Sequence, residues 1–332
     1  MPTRPVTAGD RWPWLPALIV VVLASGCTGQ KERTPDLHAT TRPAARPSVE
    51  RPALPPVTGL HGLIAYTMSG DLWVMDADGS NRRQVTHAGG NDFDPSFSPD
   101  GKRIVFRTSR GHYATDPNGT GVEGIFVIDV DGTNEHEIQP PHVGLFPDWS
   151  PVGGRIALST LRDSDRTEAI VTMDPDGSHV HDTGVVGGEC SEWSPGGSKI
   201  MYCHRPGVGQ FDVWVMDADG SHRRQLTHAI GNDYPGAWSR DGTRIVFSSQ
   251  RDGSFDVFVM NADGTGQRRL TRGPDQEGAE AWLPDGRIVY SSFHGDEPSP
   301  RFFVMDDDGT NVRSLPQLDG AGAPIDWLPG PT

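Results

Sequence analysis

One phrase recurs six times along this 332-residue chain and limits its fold more than any other feature. The clearest copy, residues 238–247, reads WSRDGTRIVF. Asp241-Gly242 suits a tight turn, and the alternation of Ile245 and Phe247 with Val246 is typical of a strand. The six copies begin at Phe97, Trp149, Trp193, Trp238, Trp282 and Trp327, at spacings of 52, 44, 45, 44 and 45 residues.

A second motif, Asp-Gly-Ser/Thr, keeps the same period. Its copies begin at Asp78, Asp131, Asp176, Asp219, Asp263 and Asp308, at spacings of 53, 45, 43, 44 and 45 residues. A period in the forties with several short strands per repeat is typical of propeller blades. We therefore predict an all-β fold, a six-bladed β-propeller of four-stranded blades over residues 61–330.

The two ends of the repeat region complement each other. The strand-like run from Gly62 to Tyr66 begins the first blade, but no aromatic phrase precedes it. The missing phrase stands at the C-terminus, around Trp327. We infer that the N- and C-terminal strands share one blade, which would close the ring and remove an open sheet edge.

Residues 1–60 differ from the repeats. A basic start, an apolar run over residues 15–24 and small residues before Cys27 are typical of a signal peptide over residues 1–26. The Ala-Ser-Gly-Cys sequence resembles a bacterial lipobox, which predicts lipidation of Cys27; simple cleavage near Ala24 and a membrane anchor are the alternatives. Residues 27–60, rich in Pro, Arg and Thr, are predicted to be a disordered, lipid-anchored tether. The predicted location is extracytoplasmic, on the bacterial cell membrane.

The charge of the chain limits its partners. The formal net charge is -15 at pH 7, whereas nucleic-acid binding needs a basic surface, so we exclude nucleic acid as a partner. Acids are concentrated in loops that enter the predicted innermost strands, and these loops should lie at one end of the ring. The residues are Asp92, Asp94, Glu189, Asp233, Asp275 and Glu277. They predict a negative mouth that favours a cationic peptide or a bound cation; solvation of ordinary loops is the alternative.

His87 and His228 stand in near-identical phrases three blades apart, and we place them at the same mouth. Their spacing does not bring both to one metal without further ligands, so no metal and no cofactor are predicted. The Asp-x-Asp-Gly-x-Asn segments lack the full ligand set of a calcium loop and are predicted to be hairpin turns. The sequence contains no Gly-x-Ser-x-Gly motif, which is the motif that would indicate a hydrolase.

Two cysteines flank the turn at residues 195–197. Cys190 and Cys203 are placed symmetrically about it, and an even-numbered loop would set them opposite each other as a disulfide. A bulged, odd-numbered loop would put them on opposite faces, so both outcomes stay open. A second feature is an insertion of about eight residues between Arg110 and Gly124, either a functional loop or a tolerated surface insertion.

The repeat resembles the TolB-type propeller repeat, also called the WD40-like PD40 repeat. The best copy runs from Trp238 to Thr271 and includes Ser248, Ser249 and Arg251 after the second strand. This resemblance implies the propeller fold, an extracytoplasmic setting and a bias towards protein binding. It covers about 270 residues.

Two functions fit these observations. The first is a monomeric, non-catalytic scaffold that binds an envelope protein or a cationic peptide and reaches the membrane through its lipid. The alternative is a propeller enzyme, such as a polysaccharide lyase with a metal site. That enzyme would need His87, His228 and His142 to converge with other ligands at the axis.

Overall fold

The computed structural model describes residues 59–110, 124–138, 144–161, 167–206, 209–295 and 299–328. The predicted signal peptide, Cys27, nearly all of the tether, residues 111–123 of the insertion and His142 lie outside these ranges. Within the described ranges, we find no helical segment that could span a bilayer.

The described residues form six antiparallel sheets of four strands, which confirms the predicted six-bladed propeller. Blade 1 contains β24 (Gly322–Leu328), β1 (Leu63–Met68), β2 (Asp71–Asp76) and β3 (Arg83–Gln84). Blade 2 contains β4 (Asp92–Phe97), β5 (Arg103–Thr108), β6 (Gly124–Asp129) and β7 (His136–Ile138). Blade 3 contains β8 (Gly144–Trp149), β9 (Ile156–Leu161), β10 (Glu168–Met173) and β11 (His181–Val186).

The remaining blades repeat the same order. Blade 4 contains β12 (Gly188–Trp193), β13 (Lys199–His204), β14 (Asp212–Asp217) and β15 (Arg224–Gln225). Blade 5 contains β16 (Asp233–Trp238), β17 (Arg244–Ser249), β18 (Asp256–Asn261) and β19 (Arg268–Arg269). Blade 6 contains β20 (Gln276–Trp282), β21 (Ile288–Phe293), β22 (Arg301–Met305) and β23 (Arg313–Ser314). One turn of 3₁₀ helix, Pro316–Leu318, leads towards β24.

The Asp-Gly-Ser/Thr motifs are hairpin turns, as predicted. In blade 1, Asp78 Oδ1 accepts hydrogen bonds from the amide (2.9 Å) and hydroxyl (2.6 Å) of Ser80. Asn81 adopts a left-handed conformation (φ 51°) and donates from Nδ2 to Asp76 Oδ2 at 2.6 Å. These aspartates therefore hydrogen-bond to their own turn, the usual role of Asp in such positions.

Apolar packing occurs between blades rather than within one. Ile245, Val246 and Phe247 of β17 are all fully buried, although their side chains alternate between the two faces of the sheet. Ile245 and Phe247 pack against residues of blade 4, whereas Val246 packs against residues of blade 6. Because both faces of a blade are covered by its neighbours, the central residues of the second and third strands form continuous apolar runs, such as IVF in β17 and VFVM in β18.

Strand β24 closes the ring, as the sequence predicted. Ile64 and Ala65 of β1 pair with Trp327 and Asp326 of β24 in an antiparallel register. The Trp327 indole donates from Nε1 to the His61 carbonyl oxygen at 3.2 Å and is 7% exposed. The last strand of the chain is thus the innermost strand of the first blade.

Removing β24 should unfold the whole domain. A chain ending at Gly320 loses the pairing partner of β1 and the buried side chains of Ile325 and Trp327. We expect loss of the cooperative thermal transition, followed by circular dichroism, because two neighbouring interfaces lose their packing together. A chain ending at Leu328 is the control, and equal melting temperatures for the two chains would contradict the closure.

Candidate functional site: the central cavity

A cavity of about 800 Å³ lies among the innermost strands of all six blades. It reaches the ends of these strands, where the chain turns into the second strand, and we call this side of the ring the turn end. Its rim includes the exposed residues Pro99, Pro151, Arg240 and Pro284. The opposite side, where the innermost strands begin, is the loop end. A cavity of this size is within the range of ligand-binding sites in proteins.

Four carboxyl groups, one buried and three partly buried, lie in the cavity wall, and each accepts a hydrogen bond from a backbone N–H of the next blade. They belong to Asp148, Glu192, Glu280 and Asp326. The bonds run from Trp193 N to Asp148 Oδ2 (2.6 Å), Trp238 N to Glu192 Oε1 (3.4 Å), Ile325 N to Glu280 Oε2 (3.3 Å) and Phe97 N to Asp326 Oδ2 (2.6 Å). These four side chains therefore join neighbouring blades at the axis.

Two serines complete this set of bonds between blades. Ser96 Oγ accepts from the amide of Trp149 at 3.0 Å and donates to Asp148 Oδ1 at 3.0 Å. Ser248 Oγ accepts from the amide of Ala279 at 2.8 Å. Each of the six blades thus contributes one side chain that accepts a hydrogen bond from a backbone amide of the next blade. We call these six side chains the inter-blade ring.

Sequence reasoning missed the inter-blade ring, although a signal was present. A polar residue directly precedes the aromatic residue of the phrase in four blades: Ser96, Asp148, Glu192 and Asp326. The period predicts only that these residues lie at equivalent positions. That they bridge to the next blade depends on the spacing of the innermost strands around the axis, which the sequence does not state.

Burial makes these carboxyl groups poor acids. It raises the pKa of Asp148 to about 7, with a further contribution from the charge of Asp326. Burial also raises the pKa of Glu280 to about 7 and that of Asp326 to about 6, and it raises the pKa of Glu192 well above its usual value. Among the described residues, Arg240 at the rim is the one basic side chain in the lining. The cavity therefore favours a ligand that carries positive charge.

β-Bulges shape the wall of the cavity. The pairing register shifts within the innermost strands of blades 2, 3 and 4, where Asp94, Phe146 and Cys190 adopt left-handed conformations with φ of 51°, 52° and 55°. All three residues line the cavity. Bulges re-aim side chains in this way next to functional sites. Asp94 also forms a buried ion pair, at 2.7 Å, with Arg107.

Most of the predicted mouth residues are buried at the loop end. Asp92, Glu189, Asp233, Asp275 and Glu277 are between 0% and 7% exposed, so solvation of ordinary loops is the wrong explanation for them. Asp92 and Asp233 form ion pairs with Arg110 and Arg251, each at 3.1 Å, and Asp275 Oδ1 is hydrogen-bonded to His294 Nδ1 at 2.7 Å. Of the six predicted acids, Asp94 lines the cavity. A ligand-binding role for these acids stays a prediction.

The two predicted histidines, His87 and His228, are exposed loop residues. Within the described residues, no group of three or more His, Cys, Asp or Glu side chains could hold a metal ion. His142, the third histidine that the lyase alternative needs, lies outside the described ranges. No described feature therefore favours the lyase over the scaffold.

The strand pairing around the two cysteines has a feature of each predicted arrangement. Trp193 pairs with Ile200 across an even-numbered turn, which would set Cys190 opposite Cys203. A bulge then shifts the register by one, so Glu189 is opposite Cys203 instead. Both cysteines are free thiols in the structure, their side chains interact with each other, and the disulfide stays a prediction.

Stability should fall as the pH rises from 5 to 8. The folded-state pKa values of Asp148 and Glu280, about 7, lie above those of the unfolded chain, near 4, so the folded state binds more protons in this window. We expect the free energy of unfolding, measured with urea, to decrease by roughly 1–4 kcal/mol.

Asp148→Asn combined with Glu280→Gln should flatten this pH dependence. The turn aspartates do not contribute to the pH dependence between pH 5 and 8. Hydrogen bonding lowers their pKa values, to about 2 for Asp241, so their protonation affects stability only below pH 4. A free energy of unfolding that rises from pH 5 to pH 8 would contradict the assignment.

Comparison with known proteins places these features in a family. An uncharacterized protein of Agrobacterium fabrum is 29% identical over 144 residues, which are 40% of this chain and 46% of that protein. The Tol-Pal system protein TolB of Orientia tsutsugamushi (strain Ikeda) is 40% identical over 77 residues, 23% of this chain and 16% of that protein. The matches thus span less than half the length of either relative.

A structure and a family model agree with these relatives. The crystal structure of TolB from Acinetobacter baumannii superposes with a TM-score of 0.64 and 19% identity, over 81% of this chain and 67% of that one, which shows the shared fold. The PD40 family model, described as the TolB beta propeller domain, matches residues 115–319. Because this match covers more than half of the sequence, the chain belongs to the TolB β-propeller (PD40) family.

Proposed function

We propose that this protein is a non-catalytic binding scaffold of the bacterial cell envelope, and that its central cavity takes a positively charged segment of an envelope protein. The observation that carries the proposal is the acidic cavity. Asp148, Glu192, Glu280 and Asp326 lie in its wall, while a single described arginine, Arg240, lies at its rim.

The shape of the cavity suits a side chain or a short extended segment better than a metal ion. Its volume of about 800 Å³ exceeds the needs of an ion. The carboxyl groups already accept hydrogen bonds from backbone N–H groups of different blades, and among the described residues no three of them form a group that could hold a metal ion. A lysine or arginine side chain can approach such groups from the axis and bring the opposite charge that they lack.

The family gives the class of partner. One relative is by name a protein of the Tol-Pal system, which supports an envelope protein as the partner. The N-terminal features of the sequence support delivery across the membrane and attachment through lipid on Cys27. On this proposal the protein acts outside the cytoplasm as a monomer.

Binding of a cationic probe tests the cavity. Tetralysine titrated calorimetrically into the full chain should bind, and a tetralysine acetylated on all four side-chain Nε atoms should not. Affinity should increase from pH 6 to pH 8, because the carboxyl groups with raised pKa values lose their protons in this range. Asp148→Asn combined with Glu192→Gln should weaken binding about tenfold or more.

Asp319→Asn is the matched control, because Asp319 is exposed and lies outside the cavity lining. It removes one carboxylate from the protein surface, against two from the cavity in the double variant, and should leave the affinity unchanged. Circular dichroism checks that the double variant is folded. Equal binding by the wild type and the double variant would show that the cavity acids do not recognise the probe.

Lipid attachment is tested separately. Cells that express the full chain should incorporate a labelled fatty acid into it, and the Cys27→Ser variant should lose the label and leave the membrane fraction. An unlabelled wild-type chain would contradict the anchor and would leave the cavity proposal standing.

A further inference from the structure

The strongest unassigned feature is a pair of cysteines beside the cavity. Cys203 lies in β13 and is fully buried, whereas Cys190 lies in the bulge of β12 and lines the cavity. Glu189 is the residue that pairs with Cys203, and Cys190 follows it with a φ of 55°. The two thiols are close enough to interact with each other.

Blade 2 shows that this contact is a property of the backbone. Phe93 pairs with Arg107 there, as Glu189 pairs with Cys203 in blade 4, and Asp94 follows in the same left-handed conformation. The side chains of Asp94 and Arg107 contact each other at 2.7 Å. The same two positions therefore touch in both blades, with an ion pair in one and two thiols in the other.

Blade 6 has a bulge of a different form, in which the contacting side chain lies one position later in the innermost strand. Glu280 lies where the register of β20 shifts, and its Oε1 accepts a hydrogen bond from Ser291 Oγ of β21. Ser291 lies three residues after Ile288, as Cys203 lies three residues after Ile200. The bulge thus repeatedly brings a side chain of the innermost strand against the second strand.

The strand pairing brings the two cysteines close along the backbone. Glu189 is opposite Cys203, with Cα atoms about 4.5–5.5 Å apart as in antiparallel pairs generally, and Cys190 is the next residue after Glu189. A disulfide needs Cα atoms about 4.4–6.8 Å apart. We propose that Cys190 and Cys203 are a redox modification site, at which a disulfide ties the innermost strand of blade 4 to its second strand.

A low-molecular-weight disulfide, RSSR, is a sufficient oxidant. The Cys190 thiol loses its proton and its sulfur attacks RSSR, which forms a mixed disulfide and releases one RS⁻. The Cys203 thiol then loses its proton and its sulfur attacks the Cys190 sulfur, which releases the second RS⁻. The cysteines lose two electrons and two protons, and RSSR is reduced to two RSH. Cys190 reacts first because it lines the cavity, whereas Cys203 is enclosed.

The experiment uses the full chain with Cys27→Ser, so that Cys190 and Cys203 are the two remaining cysteines. One sample is reduced, folded and exposed to glutathione disulfide; a second is refolded in a glutathione redox buffer, which removes any limit set by access. Both are denatured, alkylated with N-ethylmaleimide and weighed by mass spectrometry. We expect two adducts on a chain kept reduced throughout and none on the oxidised samples. Proteolysis of an oxidised sample should give a peptide pair in which residues 190 and 203 are linked.

Cys203→Ser is the matched control, and it should retain one adduct or carry one glutathione. Formation of the bond in either wild-type sample supports the site. Two adducts in both samples, or glutathione on Cys190 with Cys203 still alkylated, would overturn it. The result is independent of the proposed ligand, because no ligand is present in either sample.

Discussion

The structure depends on one kind of interaction, the hydrogen bond from a backbone amide of one innermost strand to a side chain of the preceding blade. An innermost strand has a sheet partner on one side, and its other edge faces the axis. A buried amide without a partner is destabilising by about 1–3 kcal/mol. Side chains such as Asp148, which accepts the amide of Trp193 at 2.6 Å, provide the partner that no strand could provide there.

This arrangement links the chemistry of the cavity to the stability of the ring. A hydroxyl group can accept the hydrogen bond from a backbone amide without adding charge, as Ser248 Oγ does for the amide of Ala279. Carboxyl groups take the same place at four of the six interfaces, and their burial raises their pKa values. The acidity of the cavity is thus a consequence of how the blades are joined, and no separate group of surface residues is needed to explain it.

The periodicity of the sequence was sufficient to predict the fold, because it reports which residues repeat. The phrase around Trp327 has no blade after it, and the strand that ends at Tyr66 has no phrase before it. These two observations were enough to predict that the first and last strands share one blade. The site was less predictable. Asp233 and Asp275 look like loop acids in sequence, but Arg251 and His294, 18 and 19 residues later, contact them from the end of the adjoining second strand. The repeat places Arg251 and His294 at equivalent positions, but which side chain each of them contacts depends on how the hairpin folds.

The bulges show the same limit at a finer scale. Symmetry about the turn correctly indicated that Cys190 and Cys203 lie near each other, but a shift of one residue separated them in the pairing register. The left-handed conformation at Cys190 then restored the contact between the thiols. A non-glycine residue in this conformation has no clear signature in a single sequence, since it is stabilised by the surrounding sheet.

The inter-blade ring also determines how a ligand would act on the protein. At neutral pH an ionised Asp148 or Asp326 opposes folding, because its charge is buried and a second carboxyl group lies nearby. A cation that enters the cavity would offset this cost, lower the pKa values of these groups and release protons. Binding and folding are therefore thermodynamically linked through the same side chains, and a ligand would stabilise the ring most at the pH at which the empty cavity destabilises it.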